Sequence, residues 1–141
     1  MIVIDPVVAR LRERAAKVLR FVGGAVDLAA AQDDIKQVPA AFVLPMSEEA
    51  GQNEIIGGVQ QAVRMRFAVM VAIRNVADPR GEAAIDELVA ARSAVLDALI
   101  NWLPAGATQP IEFGGGQVAA VTDRYLWWQD EFTTNTYLRS V

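Results

Sequence analysis

Cysteine and histidine are both missing from this sequence of 141 residues. Without cysteine there is no disulfide, thiolate zinc site, iron–sulfur cluster or thiol nucleophile. Without histidine there is no Ser-His-Asp triad, no imidazole metal ligand, and no side chain that titrates near neutrality at its ordinary pKa. An enzyme would depend on carboxylates, arginine, tyrosine or the two lysines, Lys17 and Lys36. The composition therefore predicts a protein that is not an enzyme and that uses no metal or cofactor.

Long apolar runs and an excess of positive charge are missing as well. The longest strongly apolar run, residues 67–73, is far shorter than the roughly 20 residues that a membrane-spanning helix needs. The N-terminal residues lack the pattern of a secretory signal peptide. The formal net charge is −4, which argues against a general affinity for nucleic acid or for an anionic membrane. We therefore expect no membrane association.

The length predicts a single domain over residues 1–141, since domains typically run to about 100–200 residues. Hydrophobic residues make up 53% of the chain, and the mean hydropathy is +0.25. Both values are high for a small soluble monomer, whose charged surface normally lowers them. The composition therefore indicates a surface that is buried in an oligomer.

Apolar periodicity predicts two amphipathic helices. Asp5 as N-cap and Pro6 at the first helical position start one helix, and the glycines at 23–24 end it. The second helix has its apolar row from Ile85 to Leu103 and ends before Pro104. Residues 25–37 are rich in alanine but weakly periodic, and they are interpreted as a connection between elements, with a turn of helix as the alternative.

The remaining apolar segments predict strands. A short strand is expected over 40–45, and a long one over 59–76, where apolar residues occupy the odd positions with a single interruption at Gln61. Residues 78–81 are expected to form a turn. The glycines at 114–116 indicate a hairpin turn, and 129–138 a last strand. The predicted fold class is α+β, an antiparallel or mixed sheet of about four to five strands with two amphipathic helices packed on one face.

The acidic segment 46–58 is predicted to be an exposed, mobile loop that becomes ordered on a partner. It supplies four candidate interface residues, Glu48, Glu49, Asn53 and Glu54. The neighbouring acids Asp33-Asp34 and Glu48-Glu49 lack the ligand spacing of a calcium loop, and we interpret them as solvated loop charges. Asp130 and Glu131 are neighbours in a predicted strand and point to opposite faces, so we do not expect them to act as a catalytic pair.

The long strand predicts a second part of the interface. Arg64, Arg66 and Arg74 occupy even positions, with Ala68, Met70 and Ala72 between them. Such a stripe buries alanine and methionine without polar cost, while its arginines bind carboxylates at the rim. We therefore expect Arg64, Arg66, Met70 and Arg74 in a protein interface, together with an outward-facing Trp128.

Over nearly its whole length the sequence resembles the phage tail terminator family, small proteins that close the end of a completed tail tube. The resemblance rests on segments 23–31, 39–45, 60–61, 74–75, 101–104, 114–116 and 127–132, with Asn53 and Phe67.

This resemblance implies a homo-hexameric ring that stacks on the last ring of tail-tube protein and stops its polymerisation. The ring would also present a surface to the head–tail connector protein. The resemblance further implies assembly in the bacterial host cytoplasm and a final location in the virion tail, with DNA only passing through the channel. A negative net charge suits such a channel, since positively charged walls would bind the phosphates of the DNA. A small-molecule-binding α+β module that acts as a dimer, with an apolar pocket between helices and sheet, is the alternative.

Overall fold

The computed structural model describes residues 3–31, 34–75 and 82–141. The turn expected at 78–81, and Asp33 of the acidic pair, lie outside these residues. The elements follow in the order α1 (Ile4–Arg14), β1 (Phe21–Gly23), α2 (Ala25–Ala31), β2 (Ala40–Ala50), β3 (Val59–Arg74), α3 (Glu82–Leu99), β4 (Glu112–Val121) and β5 (Tyr125–Ser140).

The five strands form one mixed sheet in the order β1-β2-β3-β5-β4. β1 runs parallel to β2, and every other neighbouring pair is antiparallel. The predicted α+β class is therefore confirmed. β1 and β4 lie at the two edges of the sheet.

Alternation along β3 separates the two faces of the sheet. Its odd positions from Val63 to Ile73 are buried, as the pattern predicts, and they belong to the main core. α1 and α3 contact each other over this face and supply Val7, Leu11 and Leu99. Two helices do pack on one face.

The other face is also covered at its centre, which the sequence did not predict. Ala72 of β3 and Trp127 of β5 are buried there in a second apolar cluster, against which residues of α2 pack. The Tyr125 hydroxyl holds the segment that follows α2, because it accepts a hydrogen bond from the Ile35 N–H (2.9 Å) and donates one to the Ile35 carbonyl (3.3 Å).

The first helix is shorter than predicted, and it ends at Arg14 instead of at the glycines. Residues 21–23 pair with β2 as a strand, so Val22 is buried from an extended backbone and not from a helix. The Arg12 guanidinium donates to the Val22 carbonyl at 2.8 and 3.1 Å, which ties the end of the helix to β1. The segment expected as a connection contains α2.

The strand that was expected to end at Pro45 continues to Ala50, so residues 46–50 are not part of a loop. Proline is tolerated at this point because β1 pairs only with residues 40–42 of β2, which leaves that edge free at Pro45. A register shift between Pro45 and Ser47 absorbs the irregularity.

The glycines at 114–116 lie inside β4 and form no hairpin turn. The connection between β4 and β5 is made by residues 122–124, and β4 carries register shifts between Phe113 and Gly115 and between Val118 and Ala120. These shifts are the bulges that an extended glycine run permits.

The buried row of α3 differs from the predicted one. Leu88, Val95 and Leu99 are buried as expected, but Ile85, Val89 and Leu103 are exposed. Alanines take their place in the core at positions 84, 91 and 98. Small side chains let α3 lie close to α1 and the sheet, so the bulkier residues are left on its outer side.

Candidate functional site

The even positions of β3 do not form the continuous stripe that the sequence predicts. Arg64, Arg66 and Arg74 are exposed, but Ala68 is 2% and Ala72 0% exposed, and Met70 is half-buried. The cluster beneath α2 covers this middle part. At about 3.4 Å per residue, Arg66 and Arg74 are roughly 27 Å apart. The arginines therefore occupy two separate surfaces.

Arg64 and Arg66 lie on a part of the sheet that we name the hairpin extension, formed by residues 46–50 of β2, 59–66 of β3 and 133–140 of β5. Arg64 stands opposite Glu49 on β2 and Asn135 on β5, and Arg66 opposite Ser47 and Thr133. Within the described part of the chain, neither guanidinium has a hydrogen bond or ion pair. Both groups are available to a partner.

The acidic residues of this segment do not all share a surface. Glu49 lies on the same face as Arg64, whereas Glu48 stands opposite Met65 and points to the other face. Glu54 lies in the connection between β2 and β3, where its N–H donates to the Gln60 carbonyl at 2.9 Å.

Asn53 organises the connection between β2 and β3. Its Nδ2 donates to the carbonyls of Ile55 (3.0 Å) and Gly58 (2.9 Å), and its Oδ1 accepts from the N–H groups of Ile55 (3.3 Å) and Gln60 (2.9 Å). All four bonds are local. Asn53, which the sequence indicated as an interface candidate, therefore has a structural role in this connection.

Trp128 lies on the helix-covered face and not with the arginines. The Arg92 guanidinium carbon is 4.4 Å from the centroid of its ring. The Trp128 Nε1 donates to Asp130 Oδ1 at 2.9 Å. Trp128 is half-buried beneath α3, so only part of it can reach a partner.

Asp130 is fully buried and ion-paired with Arg92 of α3. The Arg92 Nε and Nη2 donate to its two oxygens at 3.0 and 2.9 Å. Glu131 points to the opposite face, since neighbours in a strand alternate. Asp130 and Glu131 therefore cannot act together on one substrate, as expected from the sequence. Arg92 could have been recognised from the sequence, because it interrupts the apolar row of its helix and so calls for a buried acidic partner.

Gly116 is required by this ion pair. A Cβ at this position would collide with Asp130 Oδ1, and it would lie 2.9 Å from the Trp128 Nε1 and 3.2 Å from the Arg92 Nη2. The middle of β4 therefore passes directly over the three polar groups, which only glycine permits.

Arg74 lies at the opposite end of β3, between two open grooves. One, of about 350 Å³, includes Arg20, Lys36 and Glu87 in its lining, and the other, of about 220 Å³, includes Asp123. Among the described residues, no group of three or more acidic side chains is arranged to hold a metal ion. Nor is any described helix long and apolar enough to cross a membrane.

The space between α1, α3 and the sheet holds the buried side chains of the main core. Phe67 and Phe132 stack with their ring centroids 5.4 Å apart, and both are buried against α1 and α3. On the α1 and α3 side, the core itself takes the place of the apolar pocket that the small-molecule alternative requires. A groove of about 370 Å³ is open between α2 and the sheet, where Phe21, Ala31 and Phe42 contribute to its lining.

Comparison with known proteins gives a matching family and solved structures of similar fold. The model of the family described as "Phage tail terminator protein" matches residues 1–140. No curated protein sequence matches the chain. Among solved structures, a chain from the "Virion of native gene transfer agent (GTA) particle" is similar, with a TM-score of 0.59 and 16% identity, over 97% of this chain and 96% of that chain. At this identity the structural match shows that the fold is shared.

Proposed function

Because this chain belongs to the phage tail terminator family, a family of structural virion proteins, we propose that it forms a ring that caps a tail tube. The ring would stop polymerisation of the tube protein and provide the surface that joins the tail to the head connector. The family match, which extends over residues 1–140, is the observation that carries this proposal.

The hairpin extension is the surface that we assign to the tube. Arg64 and Arg66 project from it without a partner among the described residues, and Glu49 lies beside Arg64. A face with charges of both signs fits a partner whose carboxylates and cations alternate in the same way. Such a surface gives specificity for one partner protein and has little general affinity for others.

DNA passes through the proposed ring without being bound. The net charge of −4 gives little attraction for phosphate over the molecule as a whole. Assembly in the cytoplasm of a bacterial host and a hexameric ring remain part of the proposal.

Charge reversal on the hairpin extension tests the tube contact. Arg64→Glu with Arg66→Glu should leave folding intact, since exposed changes usually alter stability by only about 0.5 kcal/mol. The variant should fail to cap tubes, because like charges placed across a desolvated contact cost several kcal/mol. Tail length in electron micrographs is the measurement, and uncapped tubes should be overlong or headless.

Two matched variants locate the contact. Arg14→Glu reverses an exposed arginine on α1, whose nearest carboxylate, Glu13, is 3.9 Å away, and should reduce capping less than the double variant does. Arg74→Glu reverses the arginine at the other end of β3. Tails of normal length with the double variant, together with overlong tails with Arg74→Glu, would move the tube contact to that end of the sheet.

A further inference from the structure

An apolar surface on α3 and β4 is left open at one edge of the sheet. Ile85 is 54% and Val89 56% exposed on α3, and Val118 is 51% and Val121 64% exposed on β4. The two valines of β4 are on the side of the sheet that α3 covers, because they pair with Trp128 and Leu126, which pack against the main core. We name these four residues the α3–β4 face.

This face points away from the rest of the helical layer. The Arg10 Nε donates to the Ala98 carbonyl at 2.9 Å, which places α1 on the Ala98 side of α3. At 3.6 residues per turn, Ile85 and Val89 lie on nearly the opposite side of that helix. No described part of the chain therefore separates this face from a neighbouring molecule.

A groove of about 470 Å³ lies at the other edge of the sheet, where α1 ends and β1 begins. Its lining includes Arg12, Ala16, Leu19, Arg20 and Phe21. The Arg12 guanidinium is already bound to the Val22 carbonyl. The Arg20 side chain has no hydrogen bond or ion pair within the described ranges, and only its N–H is bonded, to the Pro39 carbonyl. We name this the β1-edge groove.

The two edges carry opposite charges. Residues 4–20, which form α1 and lead to the groove, contain five basic and two acidic residues. α3 contains four acidic residues and one arginine, and that arginine, Arg92, is ion-paired with the buried Asp130. Asp86 is exposed on the side of α3 that adjoins Ile85 and Val89. The α3–β4 face is therefore apolar with acidic neighbours, and the β1-edge groove is apolar with basic neighbours.

We propose that the α3–β4 face of one copy of this chain docks in the β1-edge groove of the next copy, with Asp86 close to Arg20. Contact between two different surfaces is heterologous, and it closes into a ring when the rotation allows. The inference thus deepens the proposed ring and rests on it. An isologous dimer through the α3–β4 face would instead bring the acidic residues of two α3 helices together.

The docking uses side chains and adds no strand to the sheet. β4 is interrupted by two register shifts, and β1 has only three residues. Bulges and very short strands prevent an edge from pairing with another strand. Apolar contact and charge therefore determine which surfaces meet.

A charge exchange tests the pairing of these surfaces. Asp86→Lys and Arg20→Glu should each weaken self-association about tenfold or more, because each places like charges across the contact. The double variant should recover association to within about threefold of the original chain, since the opposite charges are restored. Sedimentation of the full chain, alone and with purified tube protein, measures the assembly. Glu54→Lys, an equal charge change at the far end of the molecule, should self-associate normally in the absence of tube protein. Melting temperatures verify that each variant is folded.

The outcomes separate this inference from the proposed function. Single variants that associate normally, or a double variant that fails to recover, would overturn the assigned contact. Single variants that form rings but do not cap tubes would assign the α3–β4 face to the tube or the connector instead. An original chain that stays monomeric even with tube protein would overturn both the contact and the ring.

Discussion

The buried ion pair between Arg92 and Asp130 is the residue-scale feature on which the packing beneath α3 depends. Asp130 is fully buried, yet its two oxygens accept three hydrogen bonds, two from Arg92 and one from Trp128. A buried charge whose partner is removed typically costs about 3–5 kcal/mol, whereas a fully bonded one is tolerated. The contact fixes α3 over β5 at one position.

Gly116→Ala should destabilise the protein by about 2 kcal/mol or more, because the new methyl group would displace Asp130 or Arg92 from their ion pair. Thermal unfolding of the two proteins is the measurement.

Gly51→Ala is the matched control for this change. Its Cβ would lie 3.5 Å from the Ala62 carbonyl oxygen, an ordinary contact, so its stability should change by about 0.5 kcal/mol or less. Equal melting temperatures for the Gly116 variant and the original chain would mean that β4 can shift away from the ion pair at no cost.

For single residues, the sequence predicts which side chains are buried better than it predicts which side chains bind each other. The exposure of Arg64, Arg66 and Arg74 follows from alternation in β3, because that strand has one core-facing side. The burial of Ala72 does not follow from this alternation. It depends on α2, a short helix in a distant segment whose apolar periodicity is weak. Asp130 and Arg92 are 38 positions apart, and no local pattern indicates that they meet.

The connection between β2 and β3 is the element whose order rests on one side chain. Asn53→Ala should remove all four hydrogen bonds within the connection, including those from the N–H groups of Ile55 and Gln60. Since a hydrogen bond contributes about 1 kcal/mol net, we expect the exchange of these two amide hydrogens to accelerate about five- to tenfold.

Two further variants make this test specific. Asn53→Asp keeps the oxygen that accepts from both amides, so their protection should fall by less. Gln52→Ala removes an exposed neighbour that has no side-chain hydrogen bond to any described residue, and it should leave exchange unchanged. Unaltered exchange in Asn53→Ala would show that strand pairing alone holds the connection.

Among the strands, the one with a single long apolar face was predicted well, and those with irregular edges were not. β3 was located because its alternation is nearly unbroken. β2 was expected to stop at Pro45, and β4 at its glycines, because both residue types usually interrupt strands. Here Pro45 lies at a free edge, and the glycines permit bulges in β4. Both circumstances depend on the neighbouring strands, so the local sequence does not reveal them.

At the scale of the whole molecule, opposite charges at the two sheet edges make the proposed ring sensitive to salt. The Debye length falls to about 3 Å at 1 M salt, so association of the chain should weaken as salt is raised. Unfolding of the isolated chain should change little, because the Asp130 carboxylate is fully buried and its partner Arg92 is only 27% exposed. Sedimentation and thermal melting over the same salt series provide the comparison.

Association that is unchanged or stronger at high salt would instead assign the binding to the apolar residues of the α3–β4 face, since their burial does not weaken with ionic strength.

The position of β5 between β3 and β4 determines the order in which the sheet can form. The β2–β3 hairpin closes a short connection, so its pairing can begin as soon as both strands exist. β3 pairs on its other edge with residues that lie 51 positions further along the chain at Arg74↔Tyr125 and 81 positions further at Val59↔Ser140. Pairings of such long range are slow to form, and β4 has no strand to join until β5 is in place. This edge of β3, with its unpaired N–H and C=O groups, is therefore open for much of folding. A newly synthesised chain thus depends on completing β5 before it meets another unfinished chain.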